Sequence, residues 1–399
     1  MIDLRAARAD PERFRAGVAR KGAAEAFDEL LEADARWREL VPRVDELRGR
    51  QKLKGKPTAE QVEELKQVKE ELRRLEQELT AAEARRDELL QQVPNPPHES
   101  VPAGDTEEDA LEERRVGETR DSGPEHLELG WFDMERGARL SGSRFGYIMG
   151  DAALLALALY RWALDRAVTE GFTAVLPPVL VREDAMYGTG FFPAERFEIY
   201  EVADEGLYLT GTSEVALAGL HMGEILEAEE LPKRYTAFSA NFRREAGAAG
   251  RDTRGMFRVH QFNKVEMFSY VLPDVSWEEH DRLVAIEEAL VQELGLPYRV
   301  LNIAAGELSA AAAKRVDIEA WFPSQGRYRE ITSASNTTDY QARRLGIRYR
   351  ANGGTEFVHT LNGTAVTDRW VLAILENFGG EVPDVLRAYG APERVRPDA

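Results

Sequence analysis

FRREAGAAGRDTRGMFRVHQF, residues 242–262, sets five arginines (Arg243, Arg244, Arg251, Arg254 and Arg258) around a turn rich in glycine and alanine. The surrounding chain is acidic: 52 Lys and Arg stand against 71 Asp and Glu, a formal charge of −19 over 399 residues. Clustered arginine is costly unless something anionic balances it. On both sides of the turn the sequence reads as strand. Arg258, Phe262 and Glu266 recur at four-residue spacing, which puts them on one face of an extended segment. Paired as a hairpin with the segment bearing Phe242, Arg243 and Glu245, that face presents fixed cations, an aromatic plate and carboxylates. Such a set suits a nucleoside triphosphate, because guanidinium forks grip phosphate oxygens and a phenylalanine stacks on a base. An exposed, solvated charged hairpin is the plain alternative.

Outward from this hairpin, the chain beyond about residue 120 mixes two periodicities. Helical patterns at residues 151–170, 277–294 and 367–378 interleave with strand-like runs LYLTGTSE, RYTAFSA, FRVHQFNKVEMFSYV and YRVLNIAAG. No regular βαβ alternation occurs, and no GxGxxG or GxxxxGK[ST] fingerprint follows a strand, which disfavours a doubly wound nucleotide fold. The expected class is α+β, an antiparallel sheet flanked by helices.

Between Phe27 and Leu90 the character changes, with almost no glycine and a 3-4 spacing of apolar residues that marks a coiled coil. Leu30, Ala33, Trp37, Leu40, Val44 and Leu47 form one stripe. Leu65, Val68, Leu72, Leu75, Leu79, Ala82 and Leu89 form the other, broken at Arg86. Pro42 is expected to kink or break the first helix. Gly55 and Pro57 stop it, and Thr58 with Gln61 reads as a capping box opening the second, so the chain turns back as an arm over about residues 27–92. Its tip carries Arg48, Arg50, Lys52, Lys54 and Lys56 without an acid among them. Such a cluster on an acidic protein is either a solvated charge run or a probe for phosphate backbone. VPNPPHESVPAG, residues 93–104, follows as a proline-rich linker. The expected domains are residues 1–104, the arm with its linker, and residues 105–399.

Zero cysteines exclude disulfides and thiolate metal sites, and six scattered histidines argue against structural zinc. The opening MIDLRAARADPERFRAGVARKG lacks the apolar core of a signal peptide, and no run of about 18 apolar residues occurs. The expectation is a cytoplasmic protein with no membrane partner.

FRRE, a loop, then Arg258 and Phe262 in RVHQF resemble motif 2 of class II aminoacyl-tRNA synthetases, and EAGAAGRDTRGMFRVHQFNKVE is similar to the seryl-tRNA synthetase family in particular. The likeness extends through the MIDLRAAR opening, the arm, PNPPHESVP, SGSRF, LTGTSEV, YREITSASN and LNGT. GFTAVLPPVLV, with Pro178, resembles motif 1. The resemblance implies motif 1 at about 171–181, motif 2 at about 242–268 and motif 3 at about 361–377, in a class II catalytic domain behind an antiparallel two-helix arm. It implies a homodimer that activates L-serine with ATP and Mg²⁺ and passes the seryl group to tRNA(Ser), and it leaves tRNA(Sec) open. For ATP it implies Arg243, Arg244, Glu245, Arg258, Val259, Phe262, Glu330, Ile331, Thr332, Ser333 and Arg369. Arg243, Arg258 and Arg369 would be catalytic, and Glu330 and Ser333 the Mg²⁺ ligands. For serine it implies Thr212, Ser213, Glu214, Arg243, Glu266, Asn362 and Thr364, and for tRNA the five cations of the arm tip. No zinc is expected.

This chain departs from the family in several places. Arg244 stands where a small serine is common, and its alternation with Arg243 predicts a salt bridge behind the sheet. The string between Thr364 and Arg369 is one residue short, which threatens to displace one of the two. ITSASN lacks the family's common cysteine, the arm is about ten residues short, and HLELGWFDMERG has lost a few residues. Three other readings therefore stay beside the leading one: a catalytically altered tRNA-binding paralogue, a supplier of seryl-tRNA to a specialised pathway, and an amino acid:carrier protein ligase.

Overall fold

The two apolar stripes fold as helices Ala24–Arg50 (α1) and Ala59–Gln92 (α2), in a computed structural model that describes residues 1–51, 58–246, 252, 255–351 and 353–397. Ion pairs from Arg85 to Glu29, Arg36 to Glu78 and Arg50 to Glu64 show that they run antiparallel. Leu40, Val44, Leu47, Val68, Leu72 and Leu75 are buried along one seam. Burying each such side chain contributes on the order of 1.5–3 kcal/mol. The break at Arg86 is filled: its guanidinium lies 4.1 Å from the centroid of the Trp37 ring, so a cation–π contact closes the seam where an aliphatic residue is missing. Pro42 does not break α1, which runs through it. Leu40 and Val44 on either side are fully buried, and that packing holds the turn that the missing N–H weakens. Thr58 accepts the Val62 N–H through its carbonyl. Gly55, Pro57 and the Gln61 side chain lie outside the described residues.

Contacts divide the chain into two units, Met1–Pro96 and Pro97–Ala399. The linker expected up to residue 104 is bonded into the second unit from His98 onward: the His98 N–H donates to the Ala313 carbonyl, and Asn302 to the Ser100 carbonyl.

The second unit is built on a sheet of eight strands among the described residues. They are Leu111–Val116 (β1), Thr173–Val175 (β2), Lys233–Phe242 (β3), Gln261–Val271 (β4), Tyr298–Asn302 (β5), Lys314–Phe322 (β6), Arg327–Asn336 (β7) and His359–Thr367 (β8). Their order is β1-β5-β6-β7-β8-β4-β3-β2, antiparallel throughout except the β2–β3 pair. Helices Gly150–Thr169 (α3), Ser276–Leu294 (α4) and Asp368–Phe378 (α5) share a core with it, in which Leu155, Trp162, Leu283, Phe322 and Trp370 are fully buried. The family class expected from the sequence, an arm followed by an α+β sheet domain, is the observed one.

Three strand expectations are shortened. LYLTGTSE is strand only over Leu207–Leu209, because Thr212 Oγ1 accepts the Glu214 N–H and opens a short helix, Glu214–Ala218. YRVLNIAAG leaves the ladder after Asn302. The run FRVHQFNKVEMFSYV enters it only at Gln261, since Met256, Phe257 and Val259 turn into the core instead.

Candidate active site

Ten cross-strand pairs lock β3 to β4, from Gln261 opposite Phe242 to Tyr270 opposite Lys233. This hairpin forms one wall of a cleft. Alternate residues Phe262 and Lys264 of β4 line it, together with Arg243, Glu245, Phe257, Arg258, Val259, Glu330, Ile331, Thr332, Thr364, Asp368 and Arg369. Arg258 reaches the cleft from the irregular limb before β4, not from the strand face expected of it.

At one end, cations dominate. The Arg243 guanidinium is held by the Gly211 carbonyl at 3.2 Å and lies 5.3 Å from the Phe262 ring centroid. Arg258 pairs with Glu245 at 2.7 Å, and Arg369 with Glu330 at 3.3 Å. Glu330 is half-exposed by side-chain area. Loss of water contact in the concave site pushes its carboxyl up, but Arg369, Arg315 and Arg243 outweigh this and hold it below the usual carboxylate range. Asp252, on the turn, is bound bidentately by Arg329 at 2.6 and 2.9 Å and lies 3.7 Å from Arg258. Carboxylates of the chain itself thus occupy the arginine forks.

Arg244 does not form its expected salt bridge. Its side chain is exposed, with no carboxylate in ion-pair range among the described residues, and its backbone N–H donates to the Glu198 carbonyl. Arg251 and Arg254 lie outside the described residues.

Behind the cleft wall Glu266 is sealed from water, whereas Glu214 is part-exposed and lines a neighbouring pocket with Glu195, Ser335 and Asn362. Lys264, buried, contacts Glu266 at 2.5 Å and donates to Thr212 Oγ1 at 2.7 Å, and Thr364 Oγ1 is 3.4 Å from the same Glu266 carboxylate. Glu214 accepts from Gln341 at 2.7 Å and from Asn362 at 3.0 Å. Burial first, and the charge of Glu266 second, push the Glu214 carboxyl up to about 7. Burial also raises Glu266, against the pull of Lys264. Behind β8, Glu287 is pushed well above its ordinary value by burial, against the smaller pulls of Thr332 and the Thr364 backbone, and its carboxylate oxygens make no well-aligned hydrogen bond among the described residues. The buried Ser213 hydroxyl is likewise unpaired. The short segment before Arg369 displaces neither neighbour. Val265 pairs with Val366 and Glu266 with Thr364, so Ala365 is an extra residue of β8 at a bulge, and both Thr364 and Arg369 still line the cleft.

Glu330 and Ser333 sit on β7, with Ser333 opposite Asp317 on β6. Asp317 Oδ1 is buried 3.1 Å from Arg315 Nε, and burial, against the pull of Arg315, pushes its carboxyl up to about 6. These hard oxygens fit Mg²⁺, which takes one or two carboxylates and completes its shell with phosphate and water. Among the described residues, no group of three or more His, Cys, Asp and Glu gathers as a metal cage.

In the arm, two of the five tip cations are already paired: Arg48 with Glu76 at 2.9 Å and Arg50 with Glu64 at 3.0 Å. The tip itself contains no acid, but the second helix supplies them across the seam. Lys52, Lys54 and Lys56 lie outside the described residues.

Sequence reasoning missed Lys264, Arg329, Phe257 and Gln341. Lys264 was accessible, because it alternates with Phe262 and Glu266 and an inward lysine on a buried strand demands a partner. So was Arg329, through the alternation RYRE. Gln341 reaches Glu214 only through tertiary structure.

A family model described as the tRNA synthetase class II core domain (G, H, P, S and T) matches residues 197–378, and one described as the seryl-tRNA synthetase N-terminal domain matches residues 1–97. The chain is 48% identical over 421 aligned positions to the serine–tRNA ligase of Thermobifida fusca and 46% identical over 425 to that of Streptomyces coelicolor, with 100% of each chain covered. Among solved structures it is similar to seryl-tRNA synthetase from Pyrococcus horikoshii complexed with ATP (TM-score 0.92, 39% identity, 100% of each chain). It is also similar to the cytoplasmic serine–tRNA ligase of Naegleria fowleri in complex with AMP (TM-score 0.88, 33% identity, 98% and 96% covered).

Proposed function

The chain belongs to the seryl-tRNA synthetase family and joins serine to tRNA at the expense of ATP, and from that premise we propose how its residues divide the work. The carrying observation is a cleft lined by Arg243, Arg258 and Arg369 whose wall also holds Lys264 and Thr364, the two residues that contact the buried Glu266 carboxylate. ATP lies along Arg243, Arg258 and Arg369 with its adenine on Phe262; Arg244, Glu245, Val259, Ile331, Thr332 and Ser333 belong to the same site. Serine sits against Thr212, Ser213, Glu214, Glu266, Asn362 and Thr364, its ammonium facing the acids and its hydroxyl facing Glu266.

Chemistry at the junction follows. A serine carboxylate oxygen attacks the α-phosphorus in line, the new O–P bond forms as the bond to the β-phosphate oxygen breaks, and pyrophosphate leaves with that electron pair. Arg243, between the two ends, neutralises the carboxylate and the α-phosphate as they approach, so catalysis is positioning and charge stabilisation. Glu330 and Ser333 would hold Mg²⁺, which supplies further neutralisation of phosphate charge. In the second step a terminal ribose hydroxyl of tRNA attacks the seryl carbonyl and AMP departs.

The apolar stripe Leu154, Leu157, Leu176 and Leu180, all exposed, lies on α3 and on the motif 1 segment and supports a homodimer built on that face. The tip cations support contact with the tRNA backbone. No helix among the described residues is long and apolar enough to cross a membrane, and a cytoplasmic location fits the tRNA substrate.

The test is paired. Serine-dependent exchange of pyrophosphate into ATP reports the first step, and tRNA charging reports both. Neutralising Arg48, Arg50, Lys52, Lys54 and Lys56 together is expected to weaken charging and flatten its salt dependence while sparing exchange. Equal loss of both activities contradicts the division.

A further inference from the structure

His126 is 1% exposed and takes no part in the cleft described above. Its ring nitrogens face two different elements. Nδ1 lies 2.8 Å from Glu376 Oε1 on α5, and Nε2 lies 3.3 Å from the Met256 backbone nitrogen. An amide N–H can only donate, so Nε2 is the unprotonated acceptor and Nδ1 carries the proton that goes to Glu376. Glu376, itself fully buried, also accepts from Ser324 Oγ at 2.6 Å, which fixes the carboxylate from a third direction.

On the loop side the approach is close enough to require glycine. Gly255 has φ +71°, and a Cβ there would lie 2.6 Å from His126 Nε2. The residues after Met256 are those that shape the nucleotide end of the cleft. Phe257 carries the Arg369 guanidinium 4.7 Å from its ring centroid and that of Arg329 at 3.7 Å, and Arg258 follows. Arg369 stands on the first turn of α5, the same helix that holds Glu376 near its other end. One buried ring therefore ties the limb bearing Phe257 and Arg258 to the helix bearing Arg369.

We propose that His126 is a positioning residue for ATP: bridging the Met256 amide and the Glu376 carboxylate, it holds residues 255–258 and α5 at the spacing at which Phe257, Arg258 and Arg369 meet one nucleotide. This rests on the assignment of the cleft to ATP.

Two isosteres separate the two bonds. His126→Asn keeps a donor for Glu376 near the place of Nδ1 and loses the acceptor for Met256. His126→Gln keeps an acceptor near the place of Nε2. In serine-dependent pyrophosphate exchange, His126→Asn is expected to raise KM for ATP roughly five- to tenfold, the size of one lost hydrogen bond. KM for serine should stay within about twofold, and His126→Gln should restore most of the ATP affinity. An unchanged KM for ATP in His126→Asn, or the same fall in kcat for both variants with both KM values unchanged, overturns the proposal. If His126→Asn does not fold, Gly255→Ala presses a methyl toward Nε2 from the loop side and is expected to raise KM for ATP alone; no rise overturns it. Arg258→Ala is the control. A raised KM there with His126→Asn unchanged sinks the positioning role alone, whereas an unchanged KM in Arg258→Ala sinks the cleft assignment and the proposal with it.

Discussion

At the cationic end of the cleft, Arg258 and Arg369 keep 24% and 25% of their side-chain surface in water and are paired with carboxylates of the chain; at the acidic end, Glu266 keeps 2% and Lys264 8%. The difference governs what each end can do on binding. An ion pair that keeps part of its surface in water exchanges partners at smaller cost than a sealed one, so phosphates can replace Glu245, Glu330 and Asp252 in the arginine forks. A sealed acid cannot wait unpaired without cost: it holds a proton or a fixed partner until a ligand supplies one. The first end is therefore a set of displaceable charges, and the second a preformed hydrogen-bonding mould, suited to rejecting an amino acid that lacks the matching group.

The largest effect should come where the ends meet. Arg243→Ala is expected to lower serine-dependent exchange by on the order of 10²- to 10³-fold, as for loss of one preorganised donor to developing charge. An effect smaller than that of Arg258→Ala would break the junction assignment. Glu266→Gln comes next, with KM for serine rising roughly 10- to 100-fold and KM for ATP little changed, the range for a lost charge-assisted hydrogen bond. Equal rises in both would blur the two ends into one.

Glu214 gives a pH test. Its folded-state carboxyl is raised from the ordinary 4.5 to about 7, so it is neutral below that point and charged above it. KM for serine should fall as pH rises through about 7, and Glu214→Gln should flatten the profile. The stability sign runs the other way: the folded state binds this proton more tightly than the unfolded chain, so the contribution is full below 4.5 and is lost as pH rises through about 7. A profile identical in Glu214→Gln would take this acid out of the serine site. The smallest effect belongs to Glu287, whose carboxyl burial pushes well above its ordinary value. Glu287→Gln should leave Tm nearly unchanged at pH 5 and raise it at pH 8, where the unfolded carboxyl of the parent chain is ionised. Loss of Tm at both values would show that Glu287 has a bond the hydrogen-bond geometry does not reveal.

The parts legible in the sequence were those set by local periodicity. The arm stripes, the hairpin around the arginine turn and the absence of a βαβ pattern each follow from spacing within a few dozen residues. What escaped depends on contacts made by the fold. Arg86 breaks an apolar stripe only until Trp37 packs beneath it, and Arg48 and Arg50 count as free charge only until Glu76 and Glu64 arrive across the seam. The bulge at Ala365 is a property of the β4–β8 register, and no count along one strand contains it. His126 and Glu376 are 250 residues apart.

In the proposed division of the site, the acidic end reads the serine hydroxyl while the arginine end handles phosphate. Pyrophosphate exchange driven by serine or by alanine, with the same chain and the same ATP, measures it most directly. Serine is expected to support exchange with kcat/KM on the order of 10⁴-fold or more above alanine, because alanine leaves the Glu266 and Thr364 groups without their partner. Alanine within about tenfold of serine would contradict it.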